Sequence, residues 1–183
     1  LELKLGLKVT GRCALTFKTV SGTFFYEMEQ DVRHFLDSLR PEFDLRYRAV
    51  TDSYGYMWVI FEGQHIEDLL AGLTAAGDIV EEKGFSDQLL AAVFEFYSER
   101  QGGSGGSGGG GSGGSGDDHQ YIIYNYKRNN FYPFVPVGRN NNNKSRDTEK
   151  EMKIMAAVAE EMPFEKDMGL WYPLWDLPLR APG

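Results

Sequence analysis

Residues 102–116 read GGSGGSGGGGSGGSG. Nothing in this run can enter a core, and glycine loses more backbone freedom on ordering than any other residue. The run reads as a flexible linker of the engineered kind, with no part in the fold. It divides the chain into residues 1–101 and 117–183, which are either two tethered proteins or one protein with a replaced loop. The remaining 168 residues suffice for one ordinary domain with a sizeable core.

Residues 9–20 are rich in apolar and β-branched side chains and read as a strand. Met28, Val32, Phe35, Leu36 and Leu39 recur at helical spacing, which predicts a helix over 23–39 stopped by Pro41. Residues 44–51 and 54–62 are strand candidates joined at Thr51-Asp52-Ser53 as a hairpin. Ile66, Leu69, Leu70, Leu73, Ala76 and Val80 form the stripe of a helix over 64–83, with Gly84 as its stop and Phe85 placed to pack back.

Residues 88–97 and 120–127 read as paired strands, with the linker in the hairpin loop between them. Closure entropy grows slowly with loop length, so a long insertion is tolerated there. Pro133 and Pro136 demote 130–137 to an edge strand or extended arm. Residues 138–146 (GRNNNNKSR) are polar and read as mobile. Thr148 and Glu151 suggest a capping box opening a helix that stops before Pro163. The tail LWYPLWDLPL, 170–179, is too apolar to float free and reads as an irregular arm on the body. The expected fold is therefore α+β: a single domain over 1–183, interrupted at 102–116, with a twisted antiparallel sheet and about three helices.

The formal net charge is −8, with −7 in residues 1–101 and −1 in residues 117–183. Nucleic-acid affinity comes largely from Lys and Arg neutralising phosphate, so no nucleic acid is expected as a partner. No apolar stretch approaches the ~18 residues that a spanning helix needs, so no direct membrane insertion is expected. The single cysteine, Cys13, lies in an apolar run and reads as a small buried hydrophobe in a reducing interior.

No chemical constellation emerges. His34, His65 and His119 are scattered, with no pair at metal-ligand spacing. Ser53 and Ser86 lack a nucleophile-elbow context, and no phosphate-binding glycine loop is present. Glu27, Asp31, Glu67, Asp68, Glu81 and Glu82 read as solvated helix faces. No catalytic residue, metal or cofactor is assigned.

Three aromatic runs remain. Tyr54-Gly55-Tyr56-Met57-Trp58 reads as a hairpin entry with its aromatics in the core. In the run 124–134, strand alternation would put Tyr124, Tyr126 and Arg128 on one face. Aromatics and arginine are common anchors of protein interfaces. Tyr126, Lys127, Arg128, Phe131, Tyr132 and Phe134 are therefore candidate partner-binding residues. The third run, Trp171, Tyr172 and Trp175, reads as a core-sealing arm or a partner-docking patch, and Trp171 and Trp175 join the candidates.

Taken together, 52–62, 66–96, 124–138, 162–167 and 170–179 resemble the PspAB family, proteins named for association with phage-shock protein A. The KRNNFYPF element (127–134) and the WYPLW run (171–175) carry the resemblance most specifically. Both halves match one family in order, so the linker reads as a replaced loop rather than a tether. The departures are Asn129-Asn130, where glycine or a small residue is expected, and the Asn-rich stretch 140–143; the N-terminus also reads as shortened.

The resemblance implies a cytoplasmic, non-enzymatic adaptor or chaperone-like accessory protein of a membrane-stress response. Its implied partner is a PspA-like protein or an HtpX-type membrane metalloprotease, which would hold it at the membrane periphery. The strand–helix order is similar to YbjN and type III secretion chaperone-like folds. Two alternatives stay open: a self-associating dimer module whose aromatic run is its own interface, and an enzyme with an unrecognised carboxylate pair.

Overall fold

The computed structural model describes residues 5–39, 44–98, 119–137 and 144–179. The linker at 102–116, Pro41 and residues 138–143 lie outside them. At the centre lies β1 (Leu7–Lys18), buried at every position from Cys13 to Phe17. Such a run needs cover on both faces. Cys13, Leu15 and Phe17 turn to one side and Ala14 to the other, following the two-residue period of a strand.

β1 pairs with β3 (Tyr56–Gly63) on one edge and with β4 (Leu89–Ser98) on the other. β2 (Leu45–Thr51) adds outside β3, while β5 (His119–Asn125) and β6 (Asn130–Phe134) add outside β4. The order is β2-β3-β1-β4-β5-β6, antiparallel throughout. β6 stands at an edge, where Pro133 removes no needed ladder bond. A bulge in β1 between Val9 and Cys13 shifts its register against β4. Gly11 sits in it at φ +84°, so close to Gly63 that a β-carbon would lie 2.6 Å from its carbonyl oxygen. A two-stranded ribbon, β7 (Pro136–Val137) and β8 (Ser145–Arg146), lies apart from the main sheet.

Two helices cover one face. α1 (Thr23–Leu39) buries Phe25, Met28, Val32 and Leu36. α2 (Ile66–Glu82) buries Leu69, Leu73, Ala76 and Val80 against the same sheet residues. Each full burial of such a side chain contributes about 1.5–3 kcal/mol. Gly84 ends α2 at φ +83°, and Phe85 returns its N–H to Val80 and its ring edge to Phe25, 5.3 Å between centroids.

α3 (Thr148–Val158) packs at the β6 end of the sheet through Ile154 and Val158. The expected capping box does not form. Asp147 is the N-cap, accepting from the N–H of Lys150 at 3.0 Å, while Glu151 is buried and turned to other partners. The helix ends at Val158, before Pro163 as expected, and residues 159–162 continue in turns.

Among the described residues, the other face of the sheet carries no α-helix. Trp58, Ile60, Val93 and Ile123 are covered by the irregular arm 164–179, which buries Trp171 and Leu179 among them. This is the α+β arrangement expected, a six-stranded antiparallel sheet with three α-helices among the described residues. No helix among the described residues is long and apolar enough to cross a membrane.

Candidate functional site

β5 ends at Asn125, and residues 126–129 turn back into β6. Tyr124 and Tyr126 do share a face, with rings edge to face at 5.0 Å. Tyr126 packs over α2, its hydroxyl 3.4 Å from where a β-carbon on Gly77 would stand. Arg128 does not continue that face, because the chain has already left the strand. Asn129 adopts φ +52°, a left-handed conformation that glycine takes freely and asparagine tolerates. This accounts for asparagine where a small residue was expected.

Both cations of the turn have partners. Lys127 donates from Nζ to the Asp87 carbonyl at 2.6 Å. Arg128 pairs through Nε with Glu165, whose carboxylate also accepts from Asn130 Nδ2 at 2.8 Å and from the N–H of Asp167 at 3.1 Å. These donors, Arg128 first, hold the Glu165 carboxyl down at about 2.

The arm is then built onto β6. Phe131 donates its N–H to Pro163 and accepts from the N–H of Glu165, both at 2.8 Å. Tyr132 and Phe134 are buried; the Tyr132 hydroxyl donates to the Tyr172 carbonyl at 2.9 Å, and burial pushes its phenol up. Trp171 is buried with its indole N–H on the Glu165 carbonyl at 2.9 Å. Trp175 meets Phe134 edge to face at 5.1 Å. Of the eight candidate residues, Tyr132, Phe134 and Trp171 thus lie inside. Tyr126, Phe131 and Trp175 are half-buried, and Lys127 and Arg128 are exposed.

What the fold assembles instead is a groove of about 520 Å³ between the sheet end and the arm. Leu90, Ala91, Asn125 and Tyr132 contribute from the strands, Lys127 and Arg128 from the turn, Tyr172 and Leu174 from the arm. Tyr172 is 51% exposed. Leu90, Ala91, Asn125, Tyr172 and Leu174 were not among the candidates. The signal that points to Tyr172 lies in the tail run itself, where one tyrosine stands between a tryptophan that is buried and one that packs half-buried against the core.

Arg146 organises the ground beneath. It donates from Nε to both oxygens of Glu151 at 2.8 and 3.0 Å, from Nη1 to the Trp171 carbonyl at 2.7 Å and from Nη2 to the Pro133 carbonyl at 3.3 Å. Its guanidinium carbon lies 5.5 Å from the centre of the Phe134 ring. Glu151 also accepts from the N–H of Val135 at 3.0 Å. Residues 145 and 146 therefore belong to the ordered body, a correction to reading 138–146 as one mobile stretch. The long-range ligands of Arg146 decide its place, and local composition does not report them.

On the arm side of the sheet, a row of polar residues crosses the five strands β2, β3, β1, β4 and β5. Arg12 Nε meets Glu62 at 3.1 Å, and its Nη1 lies 3.5 Å from buried Glu95. Arg46 lies 3.5 Å from the other oxygen of Glu62. Glu95 accepts from the Tyr121 hydroxyl at 3.0 Å, with His119 Nδ1 3.9 Å away. One guanidinium thus stands between the two carboxylates of this row. His65 caps α2 without a side-chain bond, and His34 is exposed. Among the described residues no group of three or more His, Cys, Asp or Glu could hold a metal ion. Cys13 is buried, with its Sγ 3.8 Å from the Leu69 carbonyl, and burial pushes its thiol up to about 12.

The model of one protein family, PspAB, described as PspA associated protein B, matches residues 1–179, on both sides of the Gly/Ser stretch. The chain belongs to that family. No curated protein and no solved structure matches it.

Proposed function

We propose that this chain is a non-enzymatic adaptor, chaperone-like in its mode of action, that holds a PspA-like protein in a membrane-stress response. The observation that carries the reading is the groove at the β4–β5 end, where exposed Tyr172 and the stems of Lys127 and Arg128 surround an apolar floor. The family description, which names association with PspA, fits a protein occupant. Aromatic and cationic side chains around a concave floor are what a protein anchor residue fills. An HtpX-type membrane metalloprotease is the second partner of this reading. In either case the chain acts from the cytoplasm and meets the membrane through its partner.

The test is binding of purified PspA-like protein from the source cell to the chain, with Tyr172→Ala and Lys127→Ala in parallel. Tyr172→Ala is expected to weaken binding at least tenfold without loss of fold, because its side chain is half in water. Binding unchanged by both substitutions removes the groove from the reading. A version with its natural loop in place of residues 102–116 belongs in the same series. If only that version binds, the loop is the binding element.

A further inference from the structure

α1 carries a surface that the core does not use. Phe25, Met28, Val32 and Leu36 enter the sheet layer, yet Phe24 is 80% exposed and Phe35 38%. At 3.6 residues per turn, Phe24, Glu27, Asp31 and Phe35 fall in one stripe about 80° wide, with the two aromatics about 16 Å apart along the axis. Between them lie only carboxylates on this helix. The cation beside them is Lys83, just past the end of α2, with Nζ 2.7 Å from Asp31. Glu27 and Glu82 act on the same ammonium. The arginine of α1, Arg33, lies on the other flank near Glu29. The stripe is therefore aromatic at both ends and net negative between.

That combination selects its occupant. An anionic bilayer would be repelled by Glu27, Asp31 and Glu82. A second copy placed on a two-fold axis would bring the same carboxylates together. A helix with apolar residues for Phe24 and Phe35 and Lys or Arg for the acids satisfies both parts, and a ridge on a helix is a surface that another helix packs against. We infer that this flank of α1 docks a basic amphipathic helix of the PspA-like partner. The inference rests on the adaptor reading and adds a second contact, on the helix side of the sheet, to the groove on the arm side. Two contacts on one partner raise its affinity beyond either alone.

The probe is the purified PspA-like protein of the source cell, titrated against the chain by calorimetry. Three double variants are compared: Phe24→Ser with Phe35→Ser, Glu27→Lys with Asp31→Lys, and Lys127→Ala with Tyr172→Ala. The first two are expected to raise Kd at least tenfold, and the deficit of the charge-reversed pair to shrink in 0.5 M salt, which screens exposed charges. All four α1 positions are exposed at least in part, so circular dichroism and Tm should stay close to the parent, separating lost docking from lost fold. If the parent binds and only the groove pair weakens it, the inference is overturned and the adaptor reading stands. If the parent does not bind at all, both fall.

Discussion

The two faces of the sheet are covered by different means. On one, α1 and α2 satisfy their own backbones and need only present apolar stripes, such as Phe25-Met28-Val32-Leu36, to the strands. On the other, an arm with no regular element beyond a single 3-10 turn lies across Trp58, Ile60 and Val93. Its carbonyls depend on side chains for partners: Arg146 for Trp171, Tyr132 for Tyr172, Trp171 for Glu165 and Arg48 for Pro178. A buried carbonyl without a partner costs the desolvation of that group. The helix face is thus secured by area shared over many residues, the arm face by a few irreplaceable donors. The groove lies where the second kind of cover meets the sheet end, so the same donors that hold the arm shape the candidate site.

The sharpest way to break this comparison is Arg146→Ala. It leaves Glu151, 1% exposed, as a buried charge without its counter-ion, a loss of about 3–5 kcal/mol in denaturant unfolding. Hydrogen exchange should rise first in β5, β6 and the arm while α1 and α2 stay protected. Equal loss of protection everywhere would mean that the two covers act as one cooperative unit.

A smaller and more diffuse effect is expected from Leu36→Ala in the helix layer, about 2–5 kcal/mol from lost transfer energy and a residual cavity. Binding at the groove should be unaffected by it in conditions where the chain remains folded. Altered groove binding would couple the faces.

The mildest perturbation is acid. Glu165, held at about 2 by Arg128, Asn130 and the Asp167 N–H, has a folded pKa below its ordinary value of 4.5. Its contribution is present above pH 4.5 and is lost as the pH falls towards 2. Near-ultraviolet dichroism, to which Trp171 contributes through its bond to Glu165, is expected to change in that window before the helical signal does. Arg128→Ala should move the onset to higher pH, and an onset unmoved by it would detach the arm's acid response from this pair.

The helix face was legible in the sequence because its information is local. A 3.6-residue stripe and a glycine stop locate α2 within two residues, and α1 follows from the same spacing. The hairpin at 51–53 was legible for the same reason, except that Tyr54, read as core, stands 80% exposed at its tip. The arm face was legible only as a fact of composition: two tryptophans must be covered somewhere. Its organising residue, Arg146, sits in a run that reads as polar loop, and its partners Pro133 and Trp171 are 13 and 25 positions away. Glu151 followed a local capping rule in the sequence and obeyed a tertiary one in the fold. The groove joins Leu90 and Ala91 to Tyr172 and Leu174, segments about eighty residues apart, and no periodicity reports such a meeting.

The strand order also sets a timetable. β1 is made first but stands third in the sheet, so its edges wait for β3 and then β4. By residue 98 the ribosome has delivered all four strands and both helices of the helix-covered layer, apart from the tyrosines that later pack on its rim. Domains begin folding from the N-terminal side during synthesis. The surface around Trp58, Ile60 and Val93 receives Leu179 only after β5, β6 and α3 have been made. Between residue 98 and Leu179, therefore, the growing chain is a half-finished protein with one sealed side and one adhesive side, and the arm is the step that ends that interval.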